Sequence, residues 1–401
     1  MTPIHDFLTA YAAKDYERCH MPGHKSGIDL TEIDGAINII YESERFAADL
    51  FGAKRTLFSC SGSTLAIFAM LSPFANKRVA VIGNPHRSFV DAAILLDFEI
   101  VRIVGTPYMV SADTDAIFAT NIDYYGRQAC LADFVGGTVN IPLLTDNAHG
   151  AYLVFTDSHP IKLGAAMCAD SAHKTLPALT GAAYLHFSDT GSEFIRSAKA
   201  GLALLGTSSP SYLIYNSLDL CNKHIAEEKH IAEAGFEAVA KLKQDLAETG
   251  YTLNKTDLLR ITIDVNAYGY LGRDFALKLR EQGVVCEMYD SRYVILLFST
   301  ITQEKNTQRV FESMRKIPKK PAFAGKDIVI PQTKQALSAR QAYFSPKRTI
   351  PIREAVGEVC AGVHVPIPPC VPVIFPGEVV THEIVMLLEN SDIHEIDVIS
   401  R

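Results

Sequence analysis

The sequence contains no concentrated run of lysine and arginine and no apolar stretch of bilayer length. Lys and Arg total 38 against 45 Asp and Glu, a formal charge of −7 over 401 residues. That mild acidity offers no basic footprint for nucleic acid and no polybasic patch for a membrane surface. The first residues, MTPIHDFLTAYAAKDYERCH, lack a basic segment followed by an apolar one, so no secretory signal is expected. A membrane-spanning helix is not expected either. The eight cysteines (Cys19, Cys60, Cys130, Cys168, Cys221, Cys286, Cys360, Cys370) are scattered and form no CxxC pair. This argues against a zinc knuckle and against a disulfide framework, and free thiols in a reducing cytoplasm are expected. His20 and His24 have metal-ligand spacing, but Pro22 and Gly23 between them oppose the helix that an HxxxH pair needs, so no metal site is expected.

What is present is an ordinary globular mixture, 48% apolar and 21% charged, which is ample for a buried core. The length exceeds that of a single core and predicts a large domain with one or two smaller ones. Residues 1–55 read as an N-terminal arm ending in a helix near Tyr41–Phe51. Residues 56–235 alternate short apolar runs with helical patterns. The runs at Arg78–Ile82, Ile100–Val104, Ala116–Thr120, Pro142–Asp146, Ala165–Asp170 and Ala182–Phe187 are predicted strands, with helices at Ser63–Leu71 and Ser88–Leu96. Such alternation implies a mostly parallel sheet covered by helices on both faces. A long helical stretch, Ser211–Glu248, leads into a small α/β unit spanning 236–317. A Pro- and Lys-rich linker follows, and then a C-terminal domain at 330–401 with two short helices, a proline-rich loop and a final helix. No internal repeat is visible.

Four polar clusters fall at strand ends or helix starts. Ser59-Cys60-Ser61-Gly62-Ser63-Thr64 opens an apolar helix. Its backbone N–H groups, hydroxyls and positive dipole end suit a phosphate, although a plain helix cap uses the same residues. Asn84-Pro85-His86-Arg87-Ser88 follows a predicted strand, where ligands collect in open α/β sheets, and His86 could stack on an aromatic ring. Thr145-Asp146-Asn147-Ala148-His149-Gly150 ends another strand in a carboxylate. Pyridoxal phosphate (PLP) acts as an electron sink only while its pyridine nitrogen stays protonated, and a carboxylate beside that nitrogen favours the charged form. The small Ala148 would let a flat ring lie close to the backbone. Asp170-Ser171-Ala172-His173-Lys174-Thr175 follows a third strand, and a lysine in a crowded apolar site becomes a usable amine nucleophile. The order of phosphate turn, ring histidine, strand-end aspartate and His-Lys points to PLP held on Lys174 as a Schiff base.

These residues resemble the PLP-dependent ornithine/lysine/arginine decarboxylases, which pair an aminotransferase-like large domain with a decarboxylase C-terminal domain. Pro22-Gly23-His24-Lys25 matches the family's "PGHK", and Ser61–Thr64 its "GST" segment. His86-Arg87-Ser88 is similar to "HKS", and Thr120 with Tyr124-Tyr125-Gly126 to "TxPTYYG". Asp146–Gly150 matches "DxAHG", Ser171–Lys174 matches "SxHK", and Thr207–Tyr212 is similar to "TSPSY". In the tail, Ala355-Val356-Gly357 and Pro366–Glu378 resemble "AxGR" and "PYPPGIP…PGE". The likeness spans almost the whole chain, and its paired N- and C-terminal motifs separate it from other PLP enzymes that share "DxAHG" or "HK".

The resemblance implies an α/β, fold-type I large domain with smaller α/β C-terminal domains. It also implies roles. Ser61, Gly62, Ser63, Thr64 and Ser171 would hold the phosphate, and His86 would stack on the ring. Asp146 would pair with the pyridine nitrogen, and Ala148 and His149 would line the ring. Lys174 would carry the cofactor, with His173 beside the reacting carbon. Substrate candidates are His24, Glu287, Arg292 and Glu378, the carboxylates for a basic side chain and Arg292 for the α-carboxylate. The implied reaction is decarboxylation of lysine, arginine or ornithine, with another PLP reaction (lyase, desulfurase or aminotransferase) or an inactive regulatory paralogue as alternatives. The implied assembly is a homodimer or higher homo-oligomer with active sites at the subunit interface, to which Ser208, Ser209 or His24 would contribute. Departures from the family pattern include Arg87 for Lys, Asp123 for Thr, and, in the proline-rich loop, Ile367 for Tyr and Cys370 for Gly. That loop lies near the substrate entrance in relatives, which leaves the identity of the amino acid open.

Overall fold

A computed structural model describes residues 1–25, 29–31, 33–103, 110–111, 113–134, 141–325, 327, 329–365, 371–391 and 393–400. Ile367 and Cys370 lie outside the described residues. The N-terminal arm carries α1 (Pro3–Ala12) before α2 (Ala36–Phe51). The sequence reading passed over α1, whose Ile4 and Leu8 are one turn apart and both buried.

The large sheet begins with β1 (Arg55–Ser59), also not foreseen, followed by α3 (Gly62–Leu71), β2 (Arg78–Ile82), α4 (Arg87–Leu96), β3 (Glu99–Ile103), β4 (Ala116–Thr120), β5 (Leu143–Asp146), β6 (Met167–Ser171), the single turn α5 (Ala172–Thr175), and β7 (Ala183–Phe187). The strand order is β1-β7-β6-β5-β4-β2-β3. Strands β3, β2, β4, β5 and β6 pair in parallel, while β7 and β1 add antiparallel at one edge. The mostly parallel sheet read from the alternation of runs is therefore present. Strand side chains alternate between faces. Along β2, Val79 and Val81 enter one apolar cluster with Phe89 of α4 and Ile67 of α3, while Ala80 and Ile82 enter another on the opposite face. Helix α3 is apolar around most of its circumference because it lies under α6 (Ile195–Leu205) against the sheet, with Ala66 to Leu71 buried.

The single long helix expected over 211–248 is two, α7 (Tyr212–Glu227) and α8 (Lys229–Glu248), divided where Glu228 leaves helical geometry at φ −119° and ψ 32°. No proline or glycine marks that break. The small unit contains β8 (Thr252–Leu253), β9 (Arg260–Asp264), α9 (Gly272–Glu281), β10 (Met288–Tyr289), β11 (Tyr293–Leu297) and α10 (Glu304–Arg315), its strands ordered β10-β11-β9-β8. The tail has α11 (Ala339–Phe344), β12 (Lys347–Pro351), α12 (His382–Glu389) and β13 (Glu395–Ile399). It does not finish on a helix as expected. In the last strand Ile396 and Val398 are buried while Glu395 is exposed, the period of two of a half-covered strand, and it pairs antiparallel with β12.

Candidate active site

Three parallel strands end level with one another. Thr120 of β4 pairs in register with Asp146 of β5, and Asp146 with Ala169 of β6. The segments that leave these strands therefore emerge side by side at one edge, the place where open parallel sheets bind ligands. Asn121 and Asn147, the first residues past β4 and β5, join there through an Nδ2–Oδ1 hydrogen bond of 2.7 Å. Asn147 in turn donates to Asp170 Oδ1 at 2.7 Å.

Lys174 lies on α5, just past the end of β6. Its Nζ is 3.1 Å from His149 Nε2 and 5.6 Å from the centre of the Tyr124 ring. The other nitrogen of His149, Nδ1, is 2.8 Å from Nη2 of Arg260, the first residue of β9. Arg260 thus reaches from the small sheet into the edge of the large one and is buried. Tyr124 packs edge-on against the His149 ring at 4.7 Å between centres. Burial pushes His149 well below the usual histidine range, and the nearby Lys174 and Arg260 push it the same way.

Asp146 is buried, and its Oδ1 accepts from the Ala148 N–H at 3.0 Å. Its Oδ2 has no hydrogen-bond partner among the described residues. His86 caps α4 through Nδ1, which accepts from the Ser88 N–H at 3.1 Å. Burial lowers the His86 pKa, Asp146 works against that, and Lys174 adds to it. His173 Nδ1 is 3.0 Å from the Ala182 carbonyl, which only an N–H can satisfy, so Nε2 is left for other partners. Burial lowers the His173 pKa, against the pull of that carbonyl.

The phosphate turn joins the same edge. Ser63 and Ser171 hydroxyls are 2.7 Å apart. Gly62 sits at φ +72°, the left-handed region that suits glycine. Ser61 at the N-cap of α3 makes no side-chain cap hydrogen bond, and although the Gly62 N–H donates to the Gly181 carbonyl at 2.8 Å, the Ser63 and Thr64 N–H groups are left uncapped. A carboxylate with one uncommitted oxygen, an uncapped helix start lined with hydroxyls, and an amine between them form a donor set that fits PLP.

Beneath these groups Asp170 is fully buried. It takes hydrogen bonds from Asn147 and from His159 Nε2 at 2.9 Å, with His186 Nε2 at 3.4 Å. Burial alone would raise the Asp170 pKa, but His159 and His186 outweigh it and hold the carboxyl well below its usual range. The ligand atoms of His159, Asp170 and His186 lie within 4.8 Å of one another, and His159 is hydrogen-bonded to Asp170.

Residues 109–265 match the model of the Orn/Lys/Arg decarboxylase major domain. The chain is similar to the Orn/Lys/Arg decarboxylases over that segment. The arginine decarboxylase of Bacillus subtilis (strain 168) is 25% identical over 465 aligned residues, which cover 98% of this chain and 94% of that protein. The lysine decarboxylase of Francisella novicida superposes with a TM-score of 0.79 at 15% identity, over 100% of this chain and 81% of that one. The L-threonine transaldolase of Pseudomonas fluorescens, solved in its internal aldimine state, does so with a TM-score of 0.60 at 16% identity, over 79% of this chain and 81% of that one. At such identities the likeness is one of fold, and the fold is the aminotransferase-like, type I architecture.

Four of the residues named from the sequence are committed to other partners or lie elsewhere in this chain. Glu378 is buried in the tail, with Oε1 3.0 Å from Arg102 Nε and Oε2 accepting the Phe375 N–H at 2.7 Å. Arg102 lies on β3, level with Met167 of β6 through Val81, Phe118 and Leu144. Four strand spacings separate β3 from β6, roughly 19 Å. Glu378 therefore docks the tail against β3 in this chain. Arg292 is likewise committed. It pairs with Asp264 at 2.7 Å and Asp327 at 2.9 Å, at the end of β9 opposite Arg260. Glu287 is exposed on the small unit, and His24 pairs with Asp29 at 2.9 Å in the arm. Sequence reasoning missed Arg260, Asn147 and Asp170 as parts of the site. Asn147 and Asp170 were visible inside their motifs, whereas nothing in LLRITID marked Arg260.

Proposed function

We propose that this protein decarboxylates a basic amino acid (lysine, arginine or ornithine) to the amine and carbon dioxide, with PLP held on Lys174. The observation that carries the reading is the Lys174–His149 contact, on the same strand-end edge as Asp146 and the Ser63–Ser171 pair. When bound, PLP supplies the electron sink that receives the bond pair left by the departing carboxylate. Ser61, Ser63, Thr64 and Ser171, with the Ser63 and Thr64 N–H groups at the start of α3, would hold the phosphate. Asp146, through Oδ2, keeps a proton on the ring nitrogen. His86 and Ala148 would line the ring. His173 donates its Nδ1–H to Ala182, so Nε2 is its proton-accepting atom and would return a proton to the substrate Cα only after taking one up there, with Lys174 as the second candidate.

We further infer a homo-oligomer that completes the site between copies. A reducing, cytoplasmic location is consistent with Cys168, Cys221 and Cys360, which are buried and free. The test is a panel of amino acids with released carbon dioxide and product amines identified. Amine and carbon dioxide from one basic amino acid support the reading. A product that keeps its carboxylate would mark a different PLP reaction. In parallel, Lys174→Ala should abolish borohydride-trapped cofactor, and label on another lysine would overturn the assignment.

A further inference from the structure

Arg260 does more than fill space between the two sheets. Its side chain is 1% exposed and held on several sides. Nη1 donates to the Asp123 carbonyl, and Asp257 Oδ2 is 3.9 Å away. A Cβ on Gly126 would come within 3.0 Å of Arg260 Cδ, so the backbone at 126 walls in the side chain. From this fixed position Nη2 meets His149 Nδ1 at 2.8 Å. A guanidinium has only donors, so Nδ1 must accept. A neutral imidazole carries one proton, which must then sit on Nε2. That N–H faces Lys174 Nζ at 3.1 Å. An ammonium has no lone pair to accept it, but a free amine has one.

We propose that Arg260 is a positioning residue that locks His149 as its Nε2–H tautomer and so holds Lys174 as the free amine. This is the form that can attack an aldehyde. The Nζ lone pair forms the new carbon–nitrogen bond, and the two amine protons leave with the aldehyde oxygen as water. The groups facing Lys174 agree with this. His149 and Tyr124 come from the segments after β5 and β4, His86 from the start of α4, His173 is adjacent, and Arg260 stands behind His149 with Asp257 and Lys243 beyond it. Asp146, which acts on His86 against Lys174, is a carboxylate and works in the opposite direction. The identity of the aldehyde as PLP rests on the proposed function, but the state of the amine does not.

The test uses the full-length chain freed of cofactor. Competitive acetylation across pH, read at each lysine by mass spectrometry, compares Lys174 with Lys54, whose side chain is 60% exposed. Lys174 should reach half-maximal labelling on the order of one to three pH units below Lys54. Labelling of Lys174 at or above the Lys54 midpoint overturns the proposal. Nitrogen-15 spectra of histidine-labelled protein should show His149 protonated at Nε2, and protonation at Nδ1 also overturns it. Arg260→Met should raise the Lys174 midpoint, while Arg260→Gln, which keeps a donor but no charge, should stay near the parent value. If both variants move it equally, charge alone is responsible and the tautomer lock is wrong. The two measurements on the parent protein decide the matter even where a variant fails to fold. Borohydride labelling and the amino-acid panel are separate, so loss of the functional reading would not mimic loss of this one.

Discussion

Replacing Arg102 with methionine should loosen the tail and leave substrate recognition alone. Arg102 and Glu378 join β3 to the tail, with Nη2 donating to Oε2 at 3.2 Å and the guanidinium carbon 3.7 Å from the Phe375 ring centre. Their side chains are 18% and 2% exposed. Burial raises the Glu378 pKa, while Arg102 and the Phe375 N–H oppose that rise. Removing one partner of a buried pair costs about 3–5 kcal/mol, and the partial exposure of Arg102 places the expectation at the low end. At about 1.4 kcal/mol per tenfold, a loss of ~3 kcal/mol is roughly a hundredfold increase in opening. Amide hydrogen exchange reads it directly. Cys360 N–H is bonded to the Glu378 carbonyl and Val380 N–H to the Glu358 carbonyl, so both should exchange faster by about that factor. An acid whose pKa is raised in the folded state binds extra protons there, so stability falls as pH climbs from the ordinary glutamate range to the raised value. The Arg102→Met penalty should therefore be larger at pH 8 than at pH 5. The double substitution with Glu378→Met should recover most of the loss, since a buried pair exchanged for apolar side chains is often neutral. Unchanged exchange together with a selective rise in KM for the basic amino acid would refute the reasoning and return Glu378 to the substrate.

Asp146→Ala should lower turnover by several orders of magnitude with cofactor still bound by absorbance, because the ring nitrogen loses its counter-charge; unchanged turnover would remove Asp146 from that role. Ser171→Ala deletes one charge-assisted hydrogen bond to phosphate, about 1.5–3 kcal/mol, so titration of the cofactor-free protein should show roughly tenfold to hundredfold weaker PLP binding; equal affinity would place the phosphate elsewhere. Asp170→Ala leaves Asn147, His159 and His186 facing a void and should reduce stability by about 3–5 kcal/mol, read as a lower thermal midpoint. The Asp170 pKa is depressed in the folded state, so its contribution is complete above the ordinary aspartate range and is lost as pH falls toward the folded value. The parent and Asp170→Ala midpoints should therefore converge in acid, and a constant gap would show that the carboxylate charge is not what stabilises.

What could be read in the chain follows from how each feature is encoded. Strands β2, β4 and β5 are short β-rich runs ending in a polar residue, so both their positions and the exit of Asp146 were legible. Strand β1 was not, because its pairing partner β7 lies more than a hundred residues further on and RTLFS alone has no alternation to mark it. That late pairing also assembles what no motif contains. Across neighbouring strands in the order β4, β5, β6, β7, β1, single polar residues line up as Asn121, Asn147, Asp170, His186 and Thr56. Their links are 2.7 Å between the asparagines, 2.7 Å to Asp170, 3.4 Å to His186 and 2.8 Å on to Thr56. Each is a buried polar side chain in or just past a strand, which in isolation is a liability that needs a partner. Sheet order brings partners to Asn147, Asp170 and Thr56, and displacing one of these leaves its neighbours stranded. Asn147 carries that constraint to Asp146 and His149, its neighbours in the chain. Arg260 completes the arrangement from 111 residues away, since His149 needs an acceptor role fixed at Nδ1 before its Nε2 can address Lys174. The strand-end motifs thus name the reacting groups, while their protonation and orientation depend on residues that only the closed sheet and the docked small unit bring within reach.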